Sequence, residues 1–332
     1  MKKIIIFILI TVLMLLSCKN NSTNVDTSSD NNNGNNTGEN NNNGGSTVTP
    51  EELEKYGIDI ASATTQTIEE ALIKYETDHK GEYKLIFKGN SPIEYTRTTS
   101  IAGLLNEITL KNISITVNFE KVNFQNNKLS DLILQGPHTN LNVVKVVLPD
   151  TITTIGKYAF FCANLTNVNI PKNLKTIENS AFDKLKMENI ILPDGLQTIG
   201  RSAFSVCYMK TVVIPDSVTS IGDNAFSRCT NLIEVKLSNN LTSLEKEIFS
   251  SSSALKSITI PASITEIKGL AFYYAKALET VIFLSPNPPN IEESAFDSTA
   301  LKTIYVPKGS ETLYETLKGK YGIPDNINII GQ

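Results

Sequence analysis

One dipeptide constrains this chain more than any other feature. Ala-Phe occurs at 159–160, 181–182, 203–204, 225–226, 271–272 and 295–296, with Ile248-Phe249 in the remaining slot. Successive pairs are 22, 22, 22, 23, 23 and 24 residues apart. A period of this length, kept through seven copies, belongs to a chain wound into stacked coils. One coil has too few apolar side chains to enclose them and must bury them against its neighbours.

The residues of one coil say how it winds. In "LTNVNIP" (165–171), Val168 and Ile170 point inward while Asn167 and Asn169 point outward, the two-residue alternation of a strand. Pro171 has no N–H and ends the ladder. Prolines recur in that place at 149, 193, 215, 261 and 307, with Ser238 taking one turn. Leu174, Ile177, Ala181 and Phe182 then return through a turn and a short helical arc that fills the space behind the strand. The sequence therefore predicts an α/β solenoid of leucine-rich-repeat type. Its parallel β-sheet lines the concave face, short helical and turn segments line the convex side, and caps close both ends.

The stretches "LTNVNIP", "LKTIENSAF" and "SVTSIGDNAFSRCTNLIEVKLS" resemble the bacterial surface leucine-rich-repeat family called BspA-like. The resemblance covers about residues 143–307. It implies a secreted or anchored cell-surface protein, with adhesion to host matrix proteins or to other bacteria among the family's roles, and no catalytic site.

The solenoid is expected over 137–310, with an α/β cap over 50–136 and a C-terminal cap over 311–332, where "LYETLKGKYGIPDNINII" leaves the template. Within the first cap, "TIEEALIKYETDHK" (67–80) predicts a helix with Thr67 as N-cap. "YKLIFKG" (83–89), "ISITVNF" (113–119) and "LSDLIL" (129–134) predict strands. Residues 1–17 read as a signal peptide: Lys2 and Lys3 precede a largely apolar run, Ile4 to Leu16, too short to span a bilayer. Leu15-Leu16-Ser17-Cys18 resembles a lipobox, which implies cleavage before Cys18 and lipidation of it; an ordinary secretion signal is the alternative. More than one acyl chain on Cys18 would give a stable anchor to a membrane. The Asn-, Ser- and Gly-rich stretch from Cys18 to 49 cannot bury apolar surface and reads as a tether with an r.m.s. span of roughly 30 Å.

Charge and motifs narrow the function. The net charge is −4 and the arginines number three, Arg97, Arg201 and Arg228, so no basic stripe tracks a phosphate backbone and no nucleic-acid partner is expected. GxSxG, HExxH, P-loop and GxGxxG are missing, and neither an enzyme nor a cofactor is expected. Asp150, Asp194 and Asp216, beside the prolines, read as surface solvation. Cys162, Cys207 and Cys229 follow the Phe of their coils. Cys207 and Cys229 form either a disulfide or metal site between adjacent coils, or small buried hydrophobes. Cys207 lies two residues before Met209 and Cys229 three before Leu232, and these unequal registers favour the second reading.

What remains is surface. The outward position between the inward pair of each strand gives a column: Val147, Asn169, Ile191, Val213, Lys236, Thr259, Ile282 and Tyr305. At about 4.8 Å per rung it is roughly 34 Å long. Five of the eight are apolar or aromatic, which fits a contact surface for a protein partner, host matrix or bacterial surface. It also fits the plain strand preference of Val, Ile and Tyr. A second, polar column runs beside it: Lys145, Asn167, Asn189, Thr211, Glu234, Ser257, Thr280 and Thr303. The sequence thus predicts a lipid-anchored binding module on the outer membrane or cell surface; the alternative is a coat or spacer with no dedicated ligand.

Overall fold

Alternation along each strand and the 22–24-residue period together demand parallel pairing, and all strand pairs among the described residues are parallel. The computed structural model describes residues 48–92, 94–96, 98–136 and 141–332. The expected signal peptide, Cys18 and nearly all of the tether lie outside the described residues.

Successive coils meet along three ladders, two of them interrupted between groups of coils. On the concave face, strands Gly57–Asp59, Tyr83–Asn90, Ile113–Asn123, Leu141–Val147 and Asn167–Val168 form one sheet. Thr211–Val213 then pairs with Glu234–Lys236, and Ser257–Ile260, Thr280–Phe283, Thr303–Val306 and Asn328–Gly331 form a third group. Behind them, two-residue strands carry the template's second apolar position. Lys128–Leu129, Thr154–Ile155, Thr176–Ile177, Thr198–Ile199 and Ser220–Ile221 stack in order, followed by Ser243–Leu244, Glu266–Ile267 and Asn290–Ile291.

The third ladder runs through the Ala-Phe corners, and here the expected helical arc gives way to turns. The N–H of Phe160 donates to the Ala181 carbonyl at 2.9 Å, and the bond repeats from Phe182 to Ala203, Phe204 to Ala225 and onward. A left-handed residue stands on either side of each corner: Tyr158 and Cys162, Ser180 and Lys184, Ser202 and Val206, Asn224 and Arg228. Apolar residues at 174, 177, 181 and 182 suit a helix by spacing alone. A helix would spend its N–H groups within the coil, whereas here they bond the next coil. Those bonds offset the left-handed backbone, which costs roughly 1–3 kcal/mol at a non-glycine residue.

Inside the corners the rings of Phe160, Phe182, Phe204, Phe226, Phe249, Phe272 and Phe296 stack in one column with centroids 5.1–5.8 Å apart. All seven are buried, each ring stabilising by about 1.5–3 kcal/mol through burial alone. Glycine is required where coil backbones approach closely: a Cβ on Gly222 would lie 2.5 Å from the Arg201 nitrogen, and one on Gly200 2.7 Å from that of Asn179.

Toward the N-terminus the winding continues past the last recognisable repeat. The strand 113–123 pairs with Leu141–Val147, Lys128–Leu129 pairs with Thr154–Ile155, and Leu134 N–H donates to the Ala159 carbonyl. Residues 113–136 are therefore a full coil, with Ile133-Leu134 in the Ala-Phe slot. The strand expected over 129–134 is a strand only at Lys128–Leu129 and then a corner. Helix Ile101–Asn106 stacks on that corner, Ala102 N–H donating to Ile133. The helix expected over 67–80 spans Thr65–Asp78, and its N-cap is Thr64, with Thr67 closing the capping box from the third helical position. At the other end Asn328–Gly331 adds a strand to Thr303–Val306. Tyr314 is buried beside Phe283, its hydroxyl donating to the Ser285 and Asn287 carbonyls at 2.9 and 3.0 Å.

Candidate protein-binding surface

The strands project the expected columns, because parallel registration places equal positions side by side. Thr211 pairs with Glu234 and Val213 with Lys236; Thr259, Ile282 and Tyr305 fall in one register. Ile191 and Val213 are 56% and 57% exposed, Lys236 and Thr259 are exposed, and Ile282 and Tyr305 are half-buried. The polar column from Asn167 to Ser257 is exposed, and Lys145, Thr280 and Thr303 are half-buried.

Two members of the first column behave otherwise. Val147 is buried, at 3% exposure. Its register partner Asn118, and Ile86 beyond it, are buried too, and Ile86 packs with Val48, Tyr56 and Tyr75. The parity of Val147 is as expected, but it stands in a buried row whose far end, Ile86, is covered by the N-terminal helix Pro50–Tyr56 and its neighbours. Asn169 is half-buried, and its amide joins two coils: Oδ1 accepts from Leu148 N–H at 2.7 Å and Nδ2 donates to the Leu148 carbonyl at 3.0 Å. The column instead gains Ile330, 42% exposed and in register with Tyr305, which sequence reasoning missed because its strand lies in the divergent C-terminal cap.

The concave face is also split. No strand pairing joins Asn167–Val168 to the coil carrying Met187 and Ile191. Ile170 is half-buried, while Leu192, Ile214, Leu237 and Ile260 in the same slot are buried; Ile190 is half-buried where its counterparts Val168, Val212, Val235 and Ile258 are buried. The resulting cleft, about 480 Å³, has Val168, Ile170 and Ile190 as apolar lining, Lys186 and Glu188 as charged walls, and Ile191 at its edge.

Elsewhere the expected surface residues have structural work. Asp150 Oδ1 accepts the Lys172 N–H at 3.3 Å and Asp216 Oδ1 the Asn239 N–H at 2.9 Å, so these carboxylates tie successive turns together as well as facing water. The Asn239 bonds hold the Asp216 carboxyl below its usual range. Ion pairs such as Lys210–Glu188 at 3.0 Å and Lys302–Glu279 at 2.7 Å also link neighbouring coils.

Cys207 and Cys229 are free and buried. Each thiol donates to the Phe carbonyl of the coil before: Cys207 to Phe182 at 3.0 Å, Cys229 to Phe204 at 3.1 Å. Burial pushes the Cys207 thiol well up and that of Cys229 to about 12, which keeps both protonated and unreactive. Cys162 is buried as well. Among the described residues no group of His, Cys, Asp and Glu stands close enough to hold a metal ion. None of the helices among them is long and apolar enough to cross a membrane. One carboxylate stands apart: Asp183 is 8% exposed, and its Oδ1 has no hydrogen-bond partner. Burial pushes it up to about 7, with Lys184, the Ser205 hydroxyl and Arg228 pulling it only part of the way back.

Comparison with known proteins places these coils in context. The model of the "BspA type Leucine rich repeat region" matches in six copies over residues 135–211 and 198–317, more than half of the chain. Among solved structures, a leucine-rich repeat protein from Bacteroides ovatus is 32% identical, with a TM-score of 0.48, over 55% of this chain and 47% of that one. One from Eubacterium ventriosum is 22% identical over 69% and 68% of the two chains, with a TM-score of 0.45. A leucine rich cell surface protein from Faecalibacterium prausnitzii is 18% identical over 75% and 89%, with a TM-score of 0.27. The chain thus spans about half the length of the Bacteroides ovatus protein. No curated protein matches it.

Proposed function

Because the chain belongs to the BspA-type leucine-rich-repeat family, we propose that it is a cell-surface binding module. Lipidated Cys18 and the 18–49 tether hold it to a membrane, and its concave face engages a protein partner in adhesion. The observation that carries this reading is the exposure of Ile191 and Val213, each residue more than half exposed, on adjacent coils beside an apolar-lined cleft. Aliphatic groups left in water on a rigid surface are the usual core of a protein contact.

The test is Ile191→Asp combined with Val213→Asp. Both side chains face outward, so the fold tolerates the charges. Binding to matrix proteins or cells falls, because an unpaired carboxylate is costly to desolvate in an interface. Asp194→Ala is the matched control; Asp216 is unsuitable because it holds Asn239. Full binding by the folded double variant moves the contact elsewhere, and no binding by the wild type across a broad panel favours a spacer role. For the anchor, Cys18→Ala is expected to shift the protein from the detergent phase to the aqueous phase in phase partitioning. Retention in the detergent phase contradicts the lipid anchor.

A further inference from the structure

The sequence holds three arginines, and two of them border the same groove on the Ala-Phe side of the solenoid, away from the concave face. The groove, about 330 Å³, is lined by Arg201, Ser202, Ser205, Asn224, Ser227, Arg228 and Glu247. Its lining is polar throughout. Arg201 precedes one corner and Arg228 follows the next, so the two stand at opposite ends of neighbouring corners.

The hydrogen bonding separates occupied groups from available ones. Asn224 Nδ2 donates to Glu247 Oε2 at 2.8 Å, and Ser227 donates to the Ser250 carbonyl at 3.2 Å. Neither guanidinium takes part in an ion pair or a side-chain hydrogen bond among the described residues, where the ion pairs use lysines throughout. The Ser202 hydroxyl is also without a protein partner there. Two unsatisfied guanidiniums and a free hydroxyl around a small polar groove form a donor set suited to an oxyanion, which arginine binds through paired N–H donors.

We propose that this groove binds a tetrahedral oxyanion, a sulfate or phosphate ester, with Arg201 and Arg228 as its charged ligands and Ser202 as an added donor. The site is independent of the concave contact surface, so one chain can hold a protein partner and an anionic ester at once. Glu247 opposes the anion and sets the affinity low.

The experiment titrates the full chain at low ionic strength with a sulfated disaccharide, its desulfated counterpart and a sugar phosphate, by calorimetry. A charged ester binds and the desulfated sugar does not; which ester binds identifies the source of the anion. Arg201→Gln and Arg228→Gln each weaken binding at least tenfold, and the pair abolishes it, with unchanged circular dichroism. Glu247→Gln tightens binding, a gain that misfolding cannot mimic. Ile191→Asp with Val213→Asp leaves it unchanged, which separates this site from the concave one. No binding of either ester, binding kept by the double arginine variant, or no gain with Glu247→Gln overturns the proposal.

Discussion

Asp183 follows Phe182 in a slot where the next three coils place serine: Ser205, Ser227 and Ser250. It keeps a carboxyl group where its Oδ1 finds no hydrogen-bond donor, and burial raises it from 3.8 to about 7. The Lys184 and Arg228 charges and the Ser205 hydroxyl favour the ionised form, while the thiols of Cys207 and Cys229, both within its field, stay neutral. A group whose folded value lies above its unfolded one contributes full stability below the unfolded value and loses it as pH rises through the folded value. The window for Asp183 therefore runs from about pH 4 to pH 7. A rise of about 3 pH units, at about 1.4 kcal/mol each, makes the loss about 4 kcal/mol at most. Asp183→Asn removes the titration and keeps the shape. Urea unfolding, followed by circular dichroism at intervals from pH 4 to pH 8, compares the two proteins. Their midpoints should lie close together at pH 4 and part steadily above it, the variant being the more stable by a few kcal/mol at pH 8. A difference that does not change with pH would show that Asp183 is ionised in the folded protein and that its burial is offset by something else.

Two more perturbations test the coil packing. Phe226→Ala removes a ring held between Phe204 and Phe249 at 5.4 and 5.8 Å and should destabilise by about 3–5 kcal/mol, whereas Asn167→Ala, on the exposed concave face, should change little; equal urea midpoints contradict the inward and outward assignments. Gly222→Ala puts a methyl 2.5 Å from the Arg201 backbone, while Gly195→Ala meets only the mobile end of Lys175 at 2.8 Å, so thermal melting should drop for the first and barely move for the second.

The repeat was legible because Phe fills a slot whose volume the neighbouring rings define, so the same residue recurs. The coil at 113–136 was not, since Ile133-Leu134 fills that slot with a different pair and the flanking phrase is missing. The convex arc misled because apolar spacing reports which side chains turn inward and says nothing of where the N–H groups go. In the column, strand parity placed Ile191 and Val213 correctly. It failed to show that Val147 is buried, because Val147 shares a row with buried Asn118 and Ile86 that only the parallel pairing reveals. Asn169 was read as a surface amide, but its two bonds to Leu148 are contacts across 21 residues that alternation cannot encode. The Arg201 and Arg228 groove was hidden for the same reason: scattered arginines exclude a stripe, yet winding brings two of them together.

The ladders also explain how repeats of 22, 23 and 24 residues coexist. Phe204 and Met209 stand five apart, whereas Phe226 and Leu232 stand six apart, so the twenty-third residue enters the turn that leads into the strand. The twenty-fourth enters the turn after Phe283, where Tyr314 holds the carbonyls of Ser285 and Asn287. Hydrogen-bonded positions and stacked rings keep their registration while these two bends absorb the difference. Each coil is thereby an exchangeable cassette. Duplicating residues 193–214 in the gene would add one ring to the stack and about 4.8 Å to the concave face, so the reach of the binding surface can evolve by copy number, with every existing junction left as it is.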